Sequence, residues 1–322
     1  IPQFPFPAKI NCIRLKCYQF FSAGAEKLPP PDAELDALAQ TLRRDVEVLA
    51  GEIGPRSLLD RPEKLSQAAH YIQSRMEGLG YPVDRQEYSA GGQSVVNLTV
   101  QRFGGNQAGQ ILLVGAHYDT VFGSPGADDN ATGIAALLAL AERFAQAQPS
   151  CTLRFAAFAN EEPPFFHTQA MGSFVYAQRC QRRGESISAM ICLESLGYYD
   201  PRPGSQQYPL PLGEEAPSEG NFIAFVSNEE SEQLLRRAAD LFGQTETFPR
   251  AAAALSEDVP GAAFSDQWAF WRQGYPAVMV TDTAMYRNPY YHTSNDTPDK
   301  IHWDHFARVV RGLEGVVRSL AN

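Results

Sequence analysis

Residues 110–119 read Gln110-Ile111-Leu112-Leu113-Val114-Gly115-Ala116-His117-Tyr118-Asp119. The apolar run Ile111–Ala116 is shorter than an ordinary helix, and a short apolar run bounded by polar residues fits a strand buried on both faces. An apolar helical stretch follows at Ala131–Ala147, then a second strand-like run at Thr152–Phe158. Strand, helix and strand in that order form the unit of a parallel sheet, because the crossover helix covers one face.

The pattern continues outward. Strand-like runs occupy Val83–Tyr88, Val95–Phe103, Ala189–Leu193, Phe222–Val226 and Ala277–Thr281. Helical spacing marks Met171–Arg182, Ser231–Gly243, Gln267–Gln273 and His305–Leu320. Upstream, Leu35, Leu38, Leu42, Val46 and Leu49 recur at spacings of three and four, with Asp32 placed to cap the start. A second helix is predicted from Pro62 to Leu79 and ends at Gly80. The expected fold is α/β: a single-domain three-layer α/β/α arrangement with a mixed, mostly parallel central sheet. Residues 32–322 are expected to form that domain. Residues 1–31, Pro-rich at both ends around the aromatic cluster Tyr18–Phe21, are expected to be a poorly ordered N-terminal extension. The Pro- and Gly-rich stretch Asp200–Gly220 reads as a long loop, and long loops in compact domains are often functional.

A net charge of -10 argues against nucleic acid or an anionic membrane as the main partner, and suits a site of carboxylates and divalent cations. No stretch approaches the roughly 18 apolar residues of a membrane span. The five cysteines are scattered and odd in number, so they form no disulfide framework. Cys151 and Cys192 read as small core residues, and Cys12 and Cys17 stand near enough in sequence to bridge. Asn97-Leu98-Thr99 and Asn130-Ala131-Thr132 match the glycosylation triplet.

Five clusters carry chemistry, nearly all at the carboxyl ends of strands, where open α/β sheets bind ligands. His117 ends the first strand, and Asp119 is placed to accept its other ring proton and fix the tautomer. Alone, such a pair is usually a surface feature. Gly126-Ala127-Asp128-Asp129-Asn130 opens a helix; two aspartates and an asparagine exceed what one cap needs, and a carboxylate bridging two cations explains the excess. Glu161 and Glu162 follow the second strand, where adjacent acids repel unless a cation or shared proton intervenes. Glu162 reads as a metal ligand and Glu161 as a general base. Glu194 is a lone charge between Leu193 and Leu196 and needs a partner if buried. The last cluster is Tyr290-Tyr291-His292-Thr293 with Asp296 and Asp299; the bland role of loop histidine falls better to His302 and His305. Two imidazoles with several carboxylates suit zinc, and the lack of thiolates argues against a structural zinc cage.

In this order, His-x-Asp, Gly-Ala-Asp-Asp-Asn, Glu-Glu, Leu-Glu and Tyr-His-Thr with Asp-Thr, the motifs resemble the clan MH zinc aminopeptidases, which include bacterial secreted aminopeptidases, glutamate carboxypeptidases and glutaminyl cyclases. The resemblance spans roughly residues 32 to 320. It implies two zinc ions, one held by His117 and Glu194, the other by Glu162 and His292, with Asp129 bridging. It implies a cis Asp129–Asn130 peptide, Asp119 orienting His117, Glu161 as base, Tyr291 stabilising an oxyanion, and Asp266 in a supporting or substrate-amine contact. The implied activity is hydrolysis of N-terminal peptide bonds in a peptide or small amide, by a secreted or periplasmic protein. Departures from the family pattern bear on specificity. Glu194 often has Asp at its position, as the single-zinc cyclases do not; the loop Pro163–Met171 is long; Gln267 and Phe264 replace a common His and Arg. A cyclase-like acyltransferase is thus the second reading, and a non-catalytic binding domain on the same scaffold the third.

Overall fold

The computed structural model describes residues 19–21, 28–209 and 216–322. Of the expected extension, residues 1–31, only 19–21 and 28–31 are therefore described, and Cys12 and Cys17 lie outside. Among the described residues a nine-stranded sheet is formed by β1 (Gln19–Phe21), β2 (Asp84–Ala90), β3 (Gln93–Arg102), β4 (Gln107–His117), β5 (Cys151–Phe158), β6 (Ser186–Glu194), β7 (Ile223–Ser227), β8 (Arg250–Ala254) and β9 (Ala277–Thr281). Its order is β1-β8-β7-β9-β6-β4-β5-β3-β2. The centre, β9-β6-β4-β5, is parallel, while β2, β3 and β5 pair antiparallel, as do β7 with β9 and β1 with β8.

Side chains of β4 alternate between two cores, as a period of two requires. Leu112, Val114 and Ala116 join the larger core with α1 (Ala33–Val46), α2 (Pro62–Gly78), α3 (Gly133–Phe144), α5 (Glu232–Thr245) and α7 (Trp303–Leu320). Ile111 and Leu113 join the other with α4 (Gly172–Arg182) and α6 (Gln267–Trp271). The result is the expected three layers. Asp32 does cap α1, its side chain accepting from Leu35 N–H at 2.8 Å. Cys151 and Cys192 are buried core residues.

Within the stretch expected to be an N-terminal extension, Gln19–Phe21 pairs with Ala251–Ala253 as an edge strand. β8 was missed because Arg250-Ala-Ala-Ala-Ala254 lacks the β-branched and aromatic residues that mark strands; pairing with β7 makes it one. The Asn97 glycosylation match fails for accessibility: its side chain is fully buried and donates to Gly172 and Gln86. Among the described residues no helix is long and apolar enough to cross a membrane.

Candidate metal centre

Register brings the expected residues together. Gly115 on β4 lies opposite Cys192 on β6, so Glu194, two residues on, comes abreast of His117. His117 itself pairs with Phe158, the last residue of β5, so Glu161 and Glu162 lie just beyond the same margin. Asp119 pins that turn: its carboxylate accepts from the Glu161 N–H at 3.0 Å and the Glu162 N–H at 3.1 Å. Its link to His117 differs from expectation. The Asp119 backbone carbonyl is 3.2 Å from His117 Nδ1, nearer than its carboxylate at 3.6 Å, because that carboxylate is turned towards the two glutamate amides.

Asp129 faces both imidazoles, with Oδ1 3.3 Å from His117 Nε2 and Oδ2 3.1 Å from His292 Nε2. Glu194 Oε2 is 3.2 Å from His117 Nε2, and Glu162 Oε2 is 3.3 Å from His292 Nε2. Two groups result, His117/Asp129/Glu194 and Asp129/Glu162/His292, with the donor atoms of each within 4.8 Å of one another. Ligands about 2.0–2.1 Å from a tetrahedral ion stand about 3.3 Å apart, so the spacing and the N/O donor set fit zinc. His117 Nε2 is buried and makes no hydrogen bond of normal geometry despite its two carboxylate neighbours, as a nitrogen directed at a cation would. Glu161 belongs to neither group, with Oε2 4.0 Å from His117 Nε2. The Tyr291 ring stacks on His292 at 3.8 Å, and Asp266 is buried at the start of α6.

The shell that fixes these residues comes from distant parts of the chain. The Asp129–Asn130 peptide is cis. Asn130 Oδ1 accepts from Gly133 and Ser195 N–H, and its amide donates to Leu193, tying the Asp129 turn to the end of β6. A Cβ on Gly133 would stand 2.3 Å from Asn130 Oδ1, so only glycine admits this approach. Asp296 accepts from the Asp128 and Asp129 N–H groups at 2.9 and 3.2 Å. Asp128 accepts from Gly197 N–H and the Asn288 amide. Ser265 donates to Glu194 Oε2 at 2.6 Å. Arg56, fully buried, donates to the carbonyls of Tyr118 (2.7 Å), Leu49 (3.2 Å), Gly54 (3.2 Å), Pro125 (2.6 Å) and Gly126 (3.0 Å), clamping the loop between His117 and Asp129. Arg56 and Ser265 carried no sequence signal for these roles, and Asp296, though part of the last sequence cluster, carried none for holding the Asp128 and Asp129 amides. Asp128 did, in the surplus of acids before α3.

The cluster is electrostatically crowded. Burial pushes the Glu161 carboxyl well up, and Glu162, Glu194 and Asp266 add to this against the pull of His117. Burial and then Asp129 raise Glu162 to about 7. Burial likewise lifts Asp266 to about 7. Burial alone would lower both imidazoles, but Glu194 and Glu161 carry His117 well above its ordinary value, and Glu162 with Asp129 carries His292 to about 11. Burial also opposes ionisation of Asp129, yet the two imidazoles beside it hold it below the usual carboxylate range. Protons here do part of what cations would do: they offset converging negative charge.

Imidazoles and carboxylates converging on a shared aspartate at the margin of a parallel sheet define a metallohydrolase. The sequence pattern of Peptidase family M28 matches residues 97–317, and the chain belongs to that family, as a zinc hydrolase with a peptidase-like function. It is 35% identical over 292 residues to the uncharacterized protein YfbL of Escherichia coli K12, covering 88% of each chain. Its fold is similar to that of a zinc aminopeptidase from Bacillus subtilis, with a TM-score of 0.68 at 15% identity over 88% of this chain and 95% of the other. It is also similar to a glutaminyl cyclase from Fimbriiglobus ruber, with a TM-score of 0.64 at 20% identity over 92% and 99%.

Proposed function

We propose that residues 32–322 form an aminopeptidase domain with two co-catalytic zinc ions, His117 and Glu194 holding one, Glu162 and His292 the other, and Asp129 bridging. The observation that carries this reading is the 3.1–3.3 Å spacing of nitrogen and oxygen donors on both sides of Asp129. Bound zinc supplies Lewis-acid polarisation of the scissile carbonyl and a nucleophilic water at neutral pH. Glu161, outside both ligand groups, would serve as the general base, its carboxylate taking a proton from an attacking water and passing it to the leaving amine. The Tyr291 hydroxyl donates to the developing oxyanion, its ring held by stacking on His292. Asp119 holds Glu161 and Glu162 by their amides. Asp266, facing Glu161 and Glu194, supports the charge balance that a substrate ammonium meets.

A cavity of about 120 Å³ opens beside Glu194 and Tyr291, walled by Phe222, Val226, Leu255, Phe264, Met279 and Tyr286. It suits a bulky apolar N-terminal side chain with the free amine at the acidic cluster. The second reading, a cyclase-like acyltransferase, draws on Glu194 and the long loop after Glu162. Zinc-loaded protein given Leu-initiated and Gln-initiated peptides separates them. Free leucine is the expected product; ammonia and a blocked peptide from the Gln substrate, with no leucine released, would reverse the choice.

A further inference from the structure

Five large apolar side chains are exposed among the described residues: Leu59 (54%), Phe103 (75%), Phe122 (74%), Phe264 (39%) and Met285 (41%). All but Phe103 stand at two cavities flanking the donor cluster. Phe264 and Met285 line the cavity beside Glu194. Leu59 and Phe122 line a second, of about 270 Å³, which reaches Glu162 and Asp119 and is completed by Pro163, Pro164 and Phe165. Leu59 and Phe165 adjoin one another, since a Cβ on Gly91 would lie 3.0 Å from the one and 3.3 Å from the other. Phe122 sits on the loop from His117 to Asp129 that Arg56 clamps. Apolar groups gathered at the mouth of a polar site mark a surface that a ligand covers.

We propose that this second cavity receives the side chain of the residue following the scissile bond, and that Leu59, Phe122 and Phe165 select an apolar one. The proposal rests on the aminopeptidase reading. Successive side chains of an extended peptide point to opposite sides. The two cavities meet that alternation: one adjoins Glu194, the other Glu162, and Asp129 lies between these two glutamates. With the N-terminal side chain in the first, the next falls at the second. Asp60 also lines the second cavity and disfavours a free carboxylate there, so the occupant is a residue whose chain continues or ends in an amide.

The test compares kcat/KM for Leu-Phe-NH2 and Leu-Gly-NH2, following leucine release, in the zinc-loaded protein and in its Leu59→Ala/Phe122→Ala variant. Both positions are more than half exposed, so the variant folds; its zinc content and thermal midpoint check this. The wild type is expected to favour Leu-Phe-NH2 by about tenfold or more, and the variant to lose about tenfold of that preference. Equal efficiency on both amides in the wild type, or an undiminished preference in the variant, would overturn the subsite and leave the aminopeptidase reading standing. No turnover of either amide by the wild type would defeat that reading and the subsite with it.

Discussion

Glu161→Gln isolates the proton-transfer role from metal binding. The residue is 5% exposed, and its main-chain N–H is anchored on Asp119, so an isosteric amide keeps the turn that also positions Glu162. Glu161 lies outside both ligand groups, hence the zinc content should not change. Removing one acid from beside Glu162, Glu194 and Asp266 also relieves repulsion, so the metal-free protein should be no less stable than the wild type. What is lost is general base catalysis, typically 10²–10⁴-fold, or about 3–5 kcal/mol of barrier. The assay is kcat on a leucine-initiated peptide amide, alongside zinc quantification. The expected outcome is full zinc, near-normal KM and a kcat lower by that factor. A zinc-loaded, folded variant with wild-type kcat would refute the assignment of Glu161 as base.

Arg56→Met leaves five main-chain carbonyls without their buried donor and removes a cation that faces Asp119, Asp296, Asp129 and Glu162. A loss of about 3–5 kcal/mol is expected in denaturant unfolding, and an unchanged midpoint would contradict it. Zinc uptake at pH 7 should release protons. Against burial, acidic neighbours raise His117 and His292 above the ordinary imidazole value and so favour their protonated forms, whereas ligands must be neutral. Apparent zinc affinity should therefore fall as pH falls, and calorimetry in two buffers of different ionisation enthalpy should detect the protons; a buffer-independent heat would count against it.

The central strands were legible because a run such as Ile111–Ala116 is apolar throughout, which only burial on both faces explains. Once those strands were parallel neighbours, the residues at their carboxyl ends had to meet, so His117, Glu162 and Glu194 could be read as one site. β8 was hidden because its alanines carry no strand preference and its pairing with β7 is a tertiary fact. The supporting shell was hidden for a related reason. Arg56 after Gly54-Pro55 looks like an ordinary loop arginine, and Asp296, 167 residues from Asp129, gives no local hint that it holds that residue's amide. The Asp119–His117 contact was foreseen in partner but not in atom, since sequence spacing cannot say whether a carbonyl or a carboxylate reaches the ring.

Diffraction data collected on either side of the zinc absorption edge, from crystals grown with the metal, would count and locate the ions directly. Two anomalous peaks on opposite sides of the Asp129 carboxylate are expected, one touching His117 and Glu194, the other His292 and Glu162. Peaks only at places that leave Asp129 uncoordinated, or none at all from an active preparation, would contradict the proposed shared bridge.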